Sequence, residues 1–91
     1  MATIADWLKI EVENVGQALR QVRGKLNDTD GELVLDFSSI ERIDASAISA
    51  LEELAVAAKE KSVKVVLRGV NVGIYKVLKL SRLTGHFVFL N

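Results

Sequence analysis

Asp36, Asp44 and Ser46 are the residues of this 91-residue chain whose types and spacing suggest chemistry. Asp44 and Ser46 lie where a loop should enter a helix. There the backbone N–H groups of the first turn lack intrahelical partners. Either side chain can accept hydrogen bonds from them and act as a cap. A phosphate added at Ser46 would meet the same N–H groups and the positive end of the helix dipole. It would add about −1.5 to −2 charges. Such a charge can break an interface by repulsion without unfolding the domain. The plainer reading is that both residues are caps. Asp36 and Asp44 could also approach each other as paired carboxylates, but nothing in the sequence builds a substrate pocket around them. No enzyme is expected.

Other constellations are weaker. Asp28-x-Asp30-Gly31 matches part of a calcium loop, but the further oxygen ligands and the glutamate at the twelfth position are missing. An Asp-Gly turn explains it. Gly69-Val70-Asn71-Val72-Gly73 could cradle a phosphate, yet it lacks the third glycine of a dinucleotide fingerprint and the lysine of a Walker motif. A tight turn followed by a helix cap is simpler. His86 is the single histidine and there is no cysteine. That rules out a thiol nucleophile, a disulfide and a cysteine-ligated metal, and leaves His86 a poor ligand or base. No metal or cofactor is expected. Lys76, Lys79 and Arg82 form a basic stripe read as a solvated face.

The elements that must position these residues form one domain over residues 1–91, since a chain of this length is too short for two cores. Its composition, 49% hydrophobic and 26% charged, is globular. Twelve basic residues balance twelve acidic ones. Such a chain lacks the electrostatic excess that nucleic-acid binding uses, so no nucleic-acid partner is expected. Residues 1–7 have neither a basic start nor a long apolar run, so no signal peptide is expected. No stretch approaches the roughly 20 apolar residues of a membrane helix. Stable membrane insertion is therefore not expected, and a cytoplasmic location is.

The chain alternates between strand and helix patterns. Residues 7–12 form a strand candidate. Asn14, with Gln17 three positions on, suggests a capping-box-like start. Val15, Ala18, Leu19, Val22 and Leu26 then recur at helical spacing. Asn27-Asp28-Thr29-Asp30-Gly31 reads as a loop, and residues 32–37 as a buried strand. A second loop leads to a helix over about 46–61, with Ala47, Ile48, Ala50, Leu51, Leu54, Ala55 and Ala58 on its apolar face. On its outer face Ser49, Glu52, Glu53, Val56 and Glu60 project together, an acidic surface with an apolar centre. Residues 63–67 form another strand. Asn71 can cap a helix running to about Leu83, with Gly85 at a left-handed C-cap and His86 near the helix end. Residues 88–90 supply a last short strand. This order implies right-handed βαβ crossovers and a mainly parallel sheet.

The run Asp36-Phe37-Ser38-Ser39-Ile40-Glu41-Arg42-Ile43-Asp44-Ala45-Ser46-Ala47-Ile48 resembles the signature of STAS domains. Val65-Val66-Leu67-Arg68-Gly69-Val70-Asn71 is similar to that family's next strand and Gly-x-Asn turn. Leu78-x-Leu80 and Leu83-Thr84-Gly85 resemble its last helix. The resemblance spans about residues 14–89 and implies an α/β, SpoIIAA-like STAS fold. That means a small mixed, mainly parallel sheet of about four strands packed against about three to four helices. It implies a non-enzymatic protein-binding regulatory module of the anti-sigma factor antagonist kind. Such a module binds an anti-sigma factor serine kinase through the 44–46 loop and the following helix. The partner-binding set is then Asp36, Ser38, Asp44, Ala45, Ser46, Ser49, Glu52, Glu53 and Val56.

Two departures from the family pattern carry consequences. Only about a dozen residues precede Asn14, where the family usually has a two-strand hairpin. A lost strand would leave a sheet edge for pairing, and hence a weak homodimer. The family's phosphoacceptor position is Ala45, which has no hydroxyl. Phosphorylation then falls to Ser46, or to Ser49 one turn on, or the module binds without a phosphoswitch. The alternatives are a STAS accessory subunit docking on the ATPase of a lipid-transporting ABC complex, and a phosphate-independent stressosome or scaffold component.

Overall fold

The computed structural model describes residues 6–9, 15–26 and 31–90. Among these, strand β1 (Asp6–Lys9) is followed by helix α1 (Val15–Lys25), β2 (Glu32–Asp36), α2 (Ala45–Glu60), β3 (Lys64–Arg68), α3 (Val72–Leu80), a 3-10 turn (Thr84–His86) and β4 (Val88–Leu90). The strands form one sheet in the order β1-β2-β3-β4. All three pairings are parallel. The expected cap at Asn14 and most of the 27–31 loop lie outside the described residues, as does the expected continuation of β1 through residues 10–12.

The sheet order dictates where the helices go. Each crossover moves one strand in the same direction, and right-handed crossovers then place every helix on one face. The core agrees, for it joins Leu19 and Val22 of α1, Leu51 and Leu54 of α2, and Ile74 and Leu78 of α3 to Leu33, Leu35, Val65 and Leu67 of the sheet. The strand period of two sends the intervening residues to the opposite face. Val34 and Val66 are buried there, and the backbone register sets them in one row with Trp7 and Val88. Burial on both faces explains why Leu33-Val34-Leu35 and Val65-Val66-Leu67 read as continuous apolar runs.

Helices α1 and α2 run side by side in the same direction. Gly16 lies beside Ser46, and seven residues on Arg23 meets Glu53. Alanines at 47, 50, 57 and 58 are buried along α2, where small side chains permit close approach. Deleting a fully buried leucine such as Leu54 would cost about 2–5 kcal/mol, the usual range for a large-to-alanine core change.

Two boundaries differ from expectation. Helix α2 starts at Ala45 and not Ser46, because Asp44 is the cap. Helix α3 ends at Leu80, short of Leu83. Gly85 is not its C-cap. Arg82 takes the left-handed position instead, with φ of 60°. The Leu83 N–H donates to the Leu78 carbonyl at 2.9 Å and the Arg82 N–H to the Lys79 carbonyl at 3.1 Å, which is a Schellman motif. His86 accordingly sits in the separate 3-10 turn, away from the α3 terminus.

Helix α2 ends the same way. Ser62 has φ of 56°, the Val63 N–H donates to the Ala58 carbonyl at 2.9 Å, and the Ser62 N–H to the Lys59 carbonyl at 3.2 Å. Left-handed backbone costs a residue with a Cβ about 1–2 kcal/mol. Ser62→Gly and Arg82→Gly should therefore each stabilise the fold by about 0.5–1 kcal/mol, part of the relief being offset by glycine's greater unfolded-state entropy. Urea denaturation checks this. A loss of stability in both variants would contradict the left-handed assignment.

Candidate functional site

Residues 36–46 and 68–71 meet where the C-terminal ends of β2 and β3 feed the N-termini of α2 and α3. Asp36 ends β2, and its register partner on β3 is Arg68. Its Oδ1 accepts the Ser38 N–H at 3.0 Å, closing a local turn, and lies 3.5 Å from Arg68 Nη1. Arg68 is partly exposed and the contact is long, so the ion pair contributes at most about 1 kcal/mol. Asp36 holds the loop in shape, whereas Ser38 and Ser39 face solvent.

The next turn is packed against this one. Gly69 has φ of 73°, and a Cβ there would lie 2.9 Å from Ser38 Cβ and 3.0 Å from its Cα. Only glycine meets both the backbone angle and the contact. Asn71 caps α3 as its position suggested: Oδ1 accepts the Ile74 N–H at 2.8 Å. It also does something the sequence did not signal. Its Nδ2 donates to the Glu41 carbonyl at 2.9 Å and to the Ile40 carbonyl at 3.4 Å. One side chain thus starts α3 and tethers the loop that delivers Asp44.

Asp44 has extended backbone and caps α2, its Oδ1 accepting the Ala47 N–H at 2.9 Å. Of the two residues able to cap, Asp44 does so, and Ser46 is left within the first turn. The Ser46 hydroxyl accepts from Arg20 Nη1 at 3.3 Å. Gly16 of α1 makes room for it, since a Cβ at 16 would stand 2.6 Å from Ser46 Oγ. Arg20, Arg42, Asp44 and Ser46 line a half-open cleft of about 520 Å³ between α1 and the start of α2. Arg20, Arg42 and Gly16 escaped the sequence reading because their role depends on a 26- to 30-residue separation. The one available signal was a glycine inside an apolar helical stripe.

From this corner an exposed ridge follows α2. Asp44, Ala45, Ser46, Ser49, Glu52, Glu53 and Val56 are all exposed, Val56 to 61%. Glu53 is turned toward α1, where its Oε1 accepts from Arg23 Nη1 at 3.4 Å. The expected residues of the α2 start and outer face are therefore gathered on one surface. Asp36 and Ser38 lie apart, against Arg68 and Gly69. Asp36 and Asp44 hold separate partners, the first Arg68 and the Ser38 N–H, the second the Ala47 N–H. Among the described residues no charged or polar side chain is buried, and no three metal-ligating residues gather. No helix among them is long and apolar enough to cross a membrane.

A helix-backed parallel sheet, with loops fixed by side chains at the strand C-termini and an exposed helix start, defines a small α/β domain. The family model described as "Mlab, STAS domain" matches residues 9–90, and this chain belongs to that family. Among solved structures, the chain is similar to a candidate anti-sigma factor antagonist from Thermotoga maritima. The TM-score is 0.73 and the identity 20%, over 96% of this chain and 73% of that one. It is also similar to the STAS domain of a SulP transporter from Vibrio cholerae, with TM-score 0.73 and 18% identity, over 93% of this chain and 71% of that one. At these identities the likeness concerns the fold. Comparison with curated protein sequences found no significant match.

Asn71 supplies a direct test of the junction. Asn71→Ala should cost about 2 kcal/mol, roughly 1 for the cap and 1 for the tether. Asn71→Asp keeps the cap oxygen and loses only the donor, so it should cost about half as much. Urea denaturation checks this: no loss in Asn71→Asp would show that the tether contributes nothing, and equal losses in the two variants that the cap contributes nothing.

Proposed function

We propose that this chain is a non-enzymatic protein-binding regulatory module that acts as an anti-sigma factor antagonist. Its binding surface is the α2 start at Asp44, Ala45 and Ser46, continued along Ser49, Glu52, Glu53 and Val56. The observation that carries the reading is the exposed α2 ridge. It is a rigid helix face, acidic with an apolar centre, beginning at a corner whose loops are held by Asp36, Gly69 and Asn71. Rigid presentation lowers the ordering cost of association. Carboxylates around an apolar anchor suit a basic partner surface with a hydrophobic recess. The partner on this reading is an ATP-using anti-sigma factor kinase, and the setting is the cytoplasm.

A second reading has its own support. Ala45 removes the hydroxyl at the family's usual phosphoacceptor position, and the matching family model carries the Mlab description. Both favour a phosphate-independent subunit that docks the same ridge on the ATPase of a lipid-transporting ABC complex. Any phosphoswitch that does operate falls on Ser46 before Ser49. Ser46 is exposed, and Arg20 already donates to its hydroxyl, with Arg42 lining the same cleft. A phosphate there would gain charge-assisted hydrogen bonds while adding negative charge and bulk to the surface offered to the partner.

Isothermal titration against the kinase-type anti-sigma factor and the ABC ATPase encoded in the same genome separates the readings. Saturable binding to the first, weakened about tenfold or more by Glu52→Lys or Val56→Asp, supports the lead. Binding to the ATPase alone would transfer the function to the second reading, and binding to neither would sink both. For the switch, intact-mass measurement after incubation with kinase and ATP should show one phosphoryl group on the wild type and none on Ser46→Ala. A phosphoryl group persisting in Ser46→Ala would overturn the assignment.

A further inference from the structure

Charge is unevenly distributed along this formally neutral chain. All twelve acidic residues lie at or before Glu60, while Lys61, Lys64, Arg68, Lys76, Lys79 and Arg82 follow it. The last three of these, with Leu80, line a shallow groove of about 460 Å³ that holds no acidic side chain. Leu80 is 85% exposed and Val72 70%. Residues four apart on a helix stand in one row, so Val72, Lys76 and Leu80 run the length of α3. Tyr75 and Lys79 flank that row, and Ile74 and Leu78 form the buried side. Tyr75 makes an edge contact with Phe89, ring centroids 5.1 Å apart, and still leaves part of its surface open. The stripe is therefore not the plain solvated face that its cations suggested. It is basic and apolar together.

A helix face of this composition is complementary to an anionic bilayer surface. We propose that α3 docks on anionic lipid with its axis in the membrane plane. Val72 and Leu80 enter the headgroup boundary, and Lys76, Lys79 and Arg82 meet the lipid phosphates. Two observations choose lipid over an acidic protein. Val72 and Leu80 protrude singly, about 12 Å apart along the helix, and a bilayer receives both without two matched recesses. Two of the three cations are lysines, compact charges on flexible stems that suit a diffuse negative surface, whereas directional pairing with protein carboxylates favours arginine. The acidic residues that reach the segment beyond α3 are Glu52 and Glu60. They line a groove with Lys59, Leu83 and His86, where the Lys59 ammonium offsets one of the two carboxylates. Docking of this kind is peripheral and needs no membrane-crossing helix. Three cations and two short apolar side chains make it reversible and salt-sensitive. It uses no residue of the α2 ridge, so it stands apart from the protein partner proposed above and is measured without it.

Vesicle co-sedimentation of the full chain tests this, comparing phosphatidylglycerol and phosphatidylcholine in equal parts with phosphatidylcholine alone. Binding to the anionic vesicles only is expected, falling as salt is raised to about 0.5 M. Lys76→Glu/Lys79→Glu should weaken it about tenfold or more, and Leu80→Glu by a similar factor. All three positions are exposed, so circular dichroism of both variants should match the wild type. Lys61→Glu/Lys64→Glu makes the same change of charge at exposed positions off this face and should cost much less. No binding to anionic vesicles in low salt would overturn the proposal. Equal losses in the two lysine pairs would do so as well, reducing the effect to net charge. So would a chain that ignores vesicles but self-associates in sedimentation velocity and loses that association in Leu80→Glu, which would give the face to a second copy.

Discussion

The structure turns on the contact between two loops that the sequence keeps 30 residues apart. Asn71 caps α3 with one atom of its amide and holds the Glu41 carbonyl with the other. Beside it, Gly69 lets the β3–α3 turn pass within contact distance of Ser38. Loops at the end of a parallel sheet have no ladder of their own to fix them, so side chains must do it. Here Asp36, Gly69 and Asn71 share that work. The position of Asp44, and hence the first turn of α2, follows from it.

The sheet order has an equally direct consequence for the surface. With every crossover advancing in the same direction, all three helices share one face, and α1 and α2 lie parallel. Their inner sides make the core, while the outer sides of α2 and α3 stay exposed. A protein of this size can commit little of itself to a cavity. What it offers instead is relief and charge: an acidic, valine-centred ridge on α2 and a basic, leucine-tipped one on α3.

Much of this was legible in the residues themselves. The strands at 32–36 and 64–68 announced themselves as apolar runs because both of their faces are buried. Val15, Leu19 and Val22 marked α1 through spacing alone. The outer face of α2 was readable for the complementary reason, that Glu52, Glu53 and Val56 break the apolar stripe at helical intervals. The end of α3 was not. Gly85 looked like the C-cap because glycine tolerates left-handed backbone at no cost, but Arg82 took that conformation to let Leu83 reach the core. Packing outweighed local preference there, as it did at Ser62.

By itself, the sequence determined the alternation of strands and helices, the Asn71 cap, the α/β class and the acidic face, because each depends on neighbours within a few positions. Only the tertiary structure decided that Asp44 and not Ser46 caps α2, that Arg20 reaches Ser46, and that Asn71 ties two loops together. The Arg20–Ser46 and Asn71–Glu41 contacts join residues 26 and 30 positions apart, and their energies depend on the chain path between them. No local pattern of residue types encodes that path.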